Sequence, residues 1–126
     1  MAKPKGLGGI GEDLATKYLT DAGFTILSRN FRSRFGEIDI IAKNEDFLCF
    51  VEVKTRNVSK NLATGLESVT VEKQKKIYKT AEYFITTHMS LVERDNLQPR
   101  FDCLEIKIGD DGVVEINFIE NAFSFN

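Results

Sequence analysis

The chain has 126 residues, 42% hydrophobic and 29% charged, with a net charge of −2. That length fits one domain spanning residues 1–126, with a core that needs no disulfide or metal staple. Two prolines, nine glycines and the lack of any run of ~18 apolar residues exclude collagen-like, low-complexity and membrane-spanning chains.

Taken in chain order, residues 1–9 read as a flexible, glycine-rich lead without an apolar signal segment. Ile10 to Ala22 reads as a helix, with Leu14, Ala15, Tyr18, Leu19 and Ala22 on one face and Gly23 as its stop. Phe24 to Leu27 is a short strand, and Ser28 to Phe35 a polar connection with three arginines. Glu37–Lys43 and Phe47–Thr55, joined by Asn44-Glu45-Asp46, form an antiparallel hairpin whose second strand is apolar enough for burial on both faces. Arg56 to Ser68 is loop-like, and Val69 to about His88 is a second helix with Val71, Gln74, Tyr78, Ala81 and Ile85 on its apolar stripe. Residues 89–99 connect to a last hairpin, Phe101–Ile108 and Val113–Ile119, turned by Gly109-Asp110-Asp111-Gly112, with 120–126 as a tail. The order αβββαββ predicts an α/β domain with a mixed central sheet flanked by helices.

The chemistry concentrates in Gly36-Glu37-Ile38-Asp39 and Val51-Glu52-Val53-Lys54. Side chains alternate along a strand, so Glu52 and Lys54 share one face, and Glu37 and Asp39 share a face away from Ile38 and Ile40. A symmetric fold about Glu45-Asp46 sets Asp39 opposite Glu52 and Glu37 opposite Lys54, the latter as a cross-strand ion pair. Opposed Cβ atoms lie ~4.5–5.5 Å apart, so two carboxylates there repel and require a cation. Lys54 is one; a divalent ion held by hard oxygen ligands is the better one. Such a pair with an adjacent lysine suits phosphodiester hydrolysis, in which bound water is acidified and charge at phosphorus is offset. Glu-x-Lys alone is the common mark of a solvated strand face; its place in an otherwise apolar strand is what raises it.

These residues resemble the PD-(D/E)xK nuclease superfamily. More narrowly, the chain resembles the YraN family of predicted endonucleases, small bacterial proteins related to archaeal Holliday junction resolvases. The likeness runs nearly end to end, through Gly11-Glu12, Asn30-Phe31-Arg32, Gly36-Glu37-Ile38-Asp39, Val51 to Arg56, Arg100-Phe101-Asp102 and Asn121-Ala122-Phe123. The resemblance implies a restriction-endonuclease-like fold, Asp39 and Glu52 as ligands of magnesium or manganese, and Lys54 as the catalytic lysine. It further implies Glu12 as a metal-site acid on the first helix; by itself Glu12 is equally a carboxylate favoured by a helix N-terminus. Gln74 with Tyr78 resembles a glutamine–x–x–x–tyrosine element of some relatives.

The expected activity is metal-dependent endonucleolytic cleavage of DNA, with branched or junction DNA among the candidate substrates. Arg29, Arg32, Arg34, Arg56, Lys73, Lys75, Lys76 and Lys79 form the candidate phosphate-binding surface, with Gln74 beside them and Arg56 as the leading arginine. Arg100 and Asp102 read as a structural pair, His88 as a surface residue and Cys49 and Cys103 as core thiols of a cytoplasmic protein. Phe118, Phe123 and Phe125 would cover a sheet edge or join an interface, and cutting both strands of a duplex would suit a two-fold homodimer. Two rival readings stay open: a non-catalytic nucleic-acid-binding module on the same scaffold, and a protein-interaction domain using the acidic, Phe-containing tail.

Overall fold

In the computed structural model, which describes residues 6–57, 69–112 and 114–123, the first helix, α1, runs Leu7–Asp21. It therefore takes in Gly8 and Gly9, expected in the lead. Each glycine costs a helix about 1 kcal/mol relative to alanine, and the fully buried Ala15 and Leu19 offset it against the sheet. Gly23, at φ +97°, turns the chain out of the helix as expected.

The strands are β1 Thr25–Ser33, β2 Gly36–Lys43 and β3 Phe47–Asn57; helices α2 Val71–Thr87 and α3 Met89–Arg94 follow, then β4 Gln98–Ile108 and β5 Val114–Phe123. Five strands form one sheet in the order β1-β2-β3-β4-β5. Only the central β3–β4 pair is parallel among these neighbours. A parallel join needs a long crossover, and α2 lies within it. Helix α1 packs Ala15 and Leu19 on Ile40, Ala42, Cys49, Val51, Leu104 and Ile106. On the opposite face α2 packs Ile77, Ala81 and Phe84 on Ile38, Ile41, Leu48, Phe50 and Phe101. The expected α/β architecture is thus observed, with the short α3 added inside the expected 89–99 connection.

Two boundaries differ for physical reasons. The Ser28–Phe35 connection is mostly strand: β1 continues to Ser33, leaving Arg34 and Phe35 as the tip of a hairpin in which Ser33 pairs with Gly36. As a sheet edge, β1 keeps Arg29, Asn30 and Arg32 exposed, and a register shift after Ile26 blurs its alternation. At the other edge, residues 120–123 belong to β5 rather than a tail. Asn121, at φ +53°, makes room for the buried Asp102, whose Oδ1 accepts the Asn121 N–H at 2.7 Å and the Arg100 Nε–H at 2.9 Å. Arg100–Asp102 is therefore a structural pair, as expected. Phe118 packs edge-on against Tyr18 and Phe24, and Phe123 stacks on Phe101, so both serve the core; Phe125 and the 58–68 part of the expected loop lie outside the described residues. Cys49 and Cys103 are buried and free, and His88 is exposed with its ring on Phe84.

Gly11 sets how close α1 comes to the sheet. A Cβ there would lie 1.7 Å from Thr55 Oγ1, so helix and strand would have to separate. Gly11→Ala should cost about 1–3 kcal/mol, as overpacking does. Urea unfolding should show this as a lower midpoint at unchanged slope; an unmoved midpoint would mean that the helix seat gives freely.

Candidate active site

The β2–β3 hairpin is closed by Asn44, whose Oδ1 accepts the N–H groups of Asp46 and Phe47 at 2.9 and 2.8 Å. Its register pairs Lys43 with Leu48, Ala42 with Cys49, Ile41 with Phe50 and Ile40 with Val51. That is the symmetric register expected from the sequence, but the ladder ends one pair short of Asp39 and Glu52. Beyond Ile40 the strand changes phase: Ile38 packs toward α2 with Ile41, while Ile40 and Ala42 pack toward α1. The expectation that Ile38 and Ile40 share a face is corrected accordingly. Where β2 and β3 part, Asp39 Oδ2 accepts the Val53 N–H at 2.8 Å, a carboxylate replacing the lost ladder bond.

The parting leaves a groove of about 430 Å³ lined by Gly36, Glu37, Asp39, Glu52, Thr70, Glu72, Lys73, Lys76 and Ile77. Asp39 and Glu52 meet there, with Glu52 only 6% exposed. Burial first, and then the Glu52 charge, push the Asp39 carboxyl up from 3.8 to about 7; the Val53 N–H opposes this and Glu12 adds to it. Lys73 of α2 pairs with Glu52 Oε1 at 2.5 Å and answers part of the negative charge. Thr70 caps α2 by accepting the Lys73 N–H at 3.2 Å, which fixes where that lysine leaves the helix.

The remaining expected site residues divide. Glu12 acts on Asp39 through its charge, while its own carboxylate lies 3.8 Å from Arg29, which also pairs with Asp13 at 2.9 Å. Lys54 is not among the residues lining the groove. It shares a face with Glu52, and its in-register neighbour across the parallel ladder is Glu105. Glu37 does not oppose Lys54; it pairs with Arg32 across the β1–β2 hairpin at 3.1 Å, because β2 has left β3 by that point. Arg56 is also corrected: it stays in β3, its side chain 10% exposed and 3.9 Å from Glu105, and is no open phosphate contact. Gln74 is spent locally, donating to the Val69 carbonyl at 2.8 Å and accepting from the Tyr78 hydroxyl at 3.4 Å. Arg32 and Arg34 are exposed at the hairpin tip, and Lys73 and Lys76 line the groove.

Glu105 is the residue that sequence reading missed. It is 3% exposed, faces Arg56 and Lys107, and its Oε2 has no hydrogen-bond partner among the described residues. In sequence it alternates with Lys107 like any solvated strand face, and only the parallel pairing with β3 buries it.

Among the described residues no three His, Cys, Asp or Glu side chains are placed as a metal cage. Asp39 and Glu52 nevertheless suit a hard divalent ion: both supply oxygen, and the Asp39 carboxyl is raised first by burial and then by the Glu52 charge, which a bound cation would offset. Magnesium is commonly held by one or two carboxylates, with water and substrate phosphate completing its shell.

Comparison with known proteins gives one consistent result. The family model described as "Uncharacterised protein family UPF0102" matches residues 11–106. A UPF0102 protein of Caldicellulosiruptor bescii is 50% identical over 122 residues, covering 94% of this chain and 98% of the relative. One of Clostridium acetobutylicum is 45% identical over 120 residues, covering 94% of both chains. One of Rhodococcus opacus is 43% identical over 126 residues, covering 98% of this chain and 100% of the relative. No helix among the described residues is long and apolar enough to cross a membrane.

Proposed function

The chain belongs to the UPF0102 family, and we propose that it is a metal-dependent endonuclease, with a restriction-endonuclease-like fold, that hydrolyses phosphodiester bonds in DNA. The observation that carries this reading is the meeting of Asp39 and Glu52 in one open groove where β2 and β3 part. A buried and a half-buried acid held together at an energetic cost make sense where a cation and a phosphate are to be received.

Asp39 and Glu52 would hold the magnesium or manganese ion, which when bound would polarise a phosphoryl oxygen and acidify water. The Val53 N–H keeps Asp39 aimed into the groove. Lys73 neutralises Glu52, and Lys73 and Lys76 offer ammonium groups to the incoming phosphates. Lys54 follows Glu52 by two residues, about 6.6 Å along the strand. Its flexible stem lets the ammonium group orient the attacking water and offset charge gathering at phosphorus. Glu12 supports the site through its charge on Asp39.

The test is cleavage of plasmid, nicked and four-way junction DNA by purified protein in manganese, with a chelator as control, alongside calorimetric manganese titration. Wild-type protein should cut and bind the ion, and Asp39→Asn should do neither. Equal heats of binding in both, with no cleavage of any substrate, would remove the metal site. A second reading, a non-catalytic DNA-binding module, is favoured by one observation: Lys73 already engages Glu52. Salt-sensitive DNA binding without cleavage in any divalent metal would select it.

A further inference from the structure

A second cavity, of about 310 Å³, opens at the tip of the β1–β2 hairpin and is lined by Arg32, Ser33, Arg34, Phe35 and Tyr83. Its volume lies at the small end of ligand sites. Two arginines and two aromatic rings thus face one small cavity. The tip is held in place: Ser33 Oγ and Thr80 Oγ1 lie 3.0 Å apart, and the Phe35 N–H donates to Ser33 Oγ at 3.1 Å. Gly36, at φ +155°, would bring a Cβ to 3.3 Å from Lys76 Cβ, so the hairpin lies directly on α2.

The cations here already sit on aromatic faces. The Arg34 guanidinium lies 4.9 Å, and Lys79 Nζ 5.7 Å, from the Phe35 ring centroid. Tyr83 is 48% exposed, with its ring tilted 32° against Phe31 at 6.1 Å. Arg32 is engaged by Glu37, and among the described residues Arg34 has no carboxylate partner. This is the composition that holds a single nucleotide: a base stacks on aromatic and guanidinium planes while a cation takes the phosphate. Paired bases in duplex DNA cannot offer a free face to such a pocket.

The cavity also adjoins the acid groove. Phe35 lines one and Gly36 the other, and Gly36 is three residues, about 10 Å, from Asp39. Arg32 and Glu37, one from each lining, are ion-paired across the boundary. A strand leaving the groove along β2 would reach the cavity after a short step.

We infer that this cavity receives an unstacked nucleotide of a DNA strand, so that the preferred substrate carries a single-stranded flank beside the duplex entering the groove. The inference takes its DNA from the nuclease reading and adds the class of substrate. Fluorescence anisotropy in chelator separates the two, because binding is read without cleavage. The probes are a blunt duplex, the same duplex with an oligothymidine extension, and that probe with an oligouridine RNA extension. The extended DNA should bind about tenfold more tightly than the blunt duplex, the scale of a stacked base. Tyr83→Ala should lose most of that preference with little change toward the blunt duplex, and Tyr83→Phe, which keeps the ring, should retain it. Arg34→Ala should weaken binding of the extended DNA more than of the blunt duplex and lower the salt slope for the extended probe by about one.

Equal affinity for blunt and extended DNA, or an undiminished preference in Tyr83→Ala, would overturn the inference. Tighter binding of the RNA extension would overturn its assignment to DNA. A preference for the extension without any cleavage in manganese would uphold the cavity and remove the nuclease reading. Cleavage without a preference would do the reverse.

Discussion

Glu52→Gln should lower metal-dependent DNA cleavage by about a thousandfold or more, at saturating substrate and fixed manganese. The substitution keeps shape and removes one charge, from a side chain that is 6% exposed and shares its groove with Asp39. Electrostatic groups aimed at a reacting centre commonly carry about a hundredfold to a thousandfold each, and loss of an ion's ligand adds to this. Lys54→Ala should cost about a hundredfold or more, appearing in kcat rather than KM, since the proposed role is exercised in the transition state. Neither loss should come from unfolding. Glu52 raises the Asp39 carboxyl, so neutralising it relieves repulsion in the metal-free protein. Near-normal turnover in Glu52→Gln, in preparations free of contaminating nuclease, would remove the assigned mechanism.

Stability of the metal-free protein should fall as pH rises from about 4 to about 7. Folding raises the Asp39 carboxyl from its ordinary 3.8 to about 7, chiefly by burial and then through Glu52. The folded state therefore holds a proton that the unfolded chain has already released. The contribution is complete below pH 4, is lost through the window and is gone above 7. Asp39→Asn has no proton to lose, and its amide oxygen can still accept from Val53. It should match wild type near pH 4 and exceed it above pH 7 by on the order of 2–4 kcal/mol. Manganese should narrow that gap by stabilising wild type alone. Chemical unfolding in steps of pH reads all of this; parallel slopes for the two proteins would show that Asp39 ionises in the folded state as freely as in water.

Much of the acid pair was legible because its register is local. A hairpin closed by Asn44-Glu45-Asp46 has few ways to pair, and Ile40 opposite Val51 already brings Asp39 beside Glu52. Where β2 leaves β3 was not legible, because Ile38 and Ile40 look alike in sequence and pack on opposite faces of the sheet. The same parting sends Glu37 to Arg32 instead of Lys54. Arg56 and Glu105 are a second case. Arg56 reads as the start of a loop and Glu105 as part of a solvated strand face, and the parallel β3–β4 join, made across a crossover, covers both side chains. Lys73 was readable as a cation on α2, but not as the partner of Glu52, twenty-one residues earlier. The Ser28–Ser33 half of the edge strand β1 was read as a connection because polar residues on an exposed face carry little pattern.

Strand order in space repeats strand order along the chain. The first three strands make a meander of short-range pairs, and both acids are on it before any later residue is needed. That meander alone would leave the Asp39 and Glu52 charges facing each other without Lys73, which arrives only with α2, and without the cover of Ile77, Ala81 and Phe84. Helix α2 thus brings both the cation that pairs with Glu52 and the apolar cover of that face of the sheet.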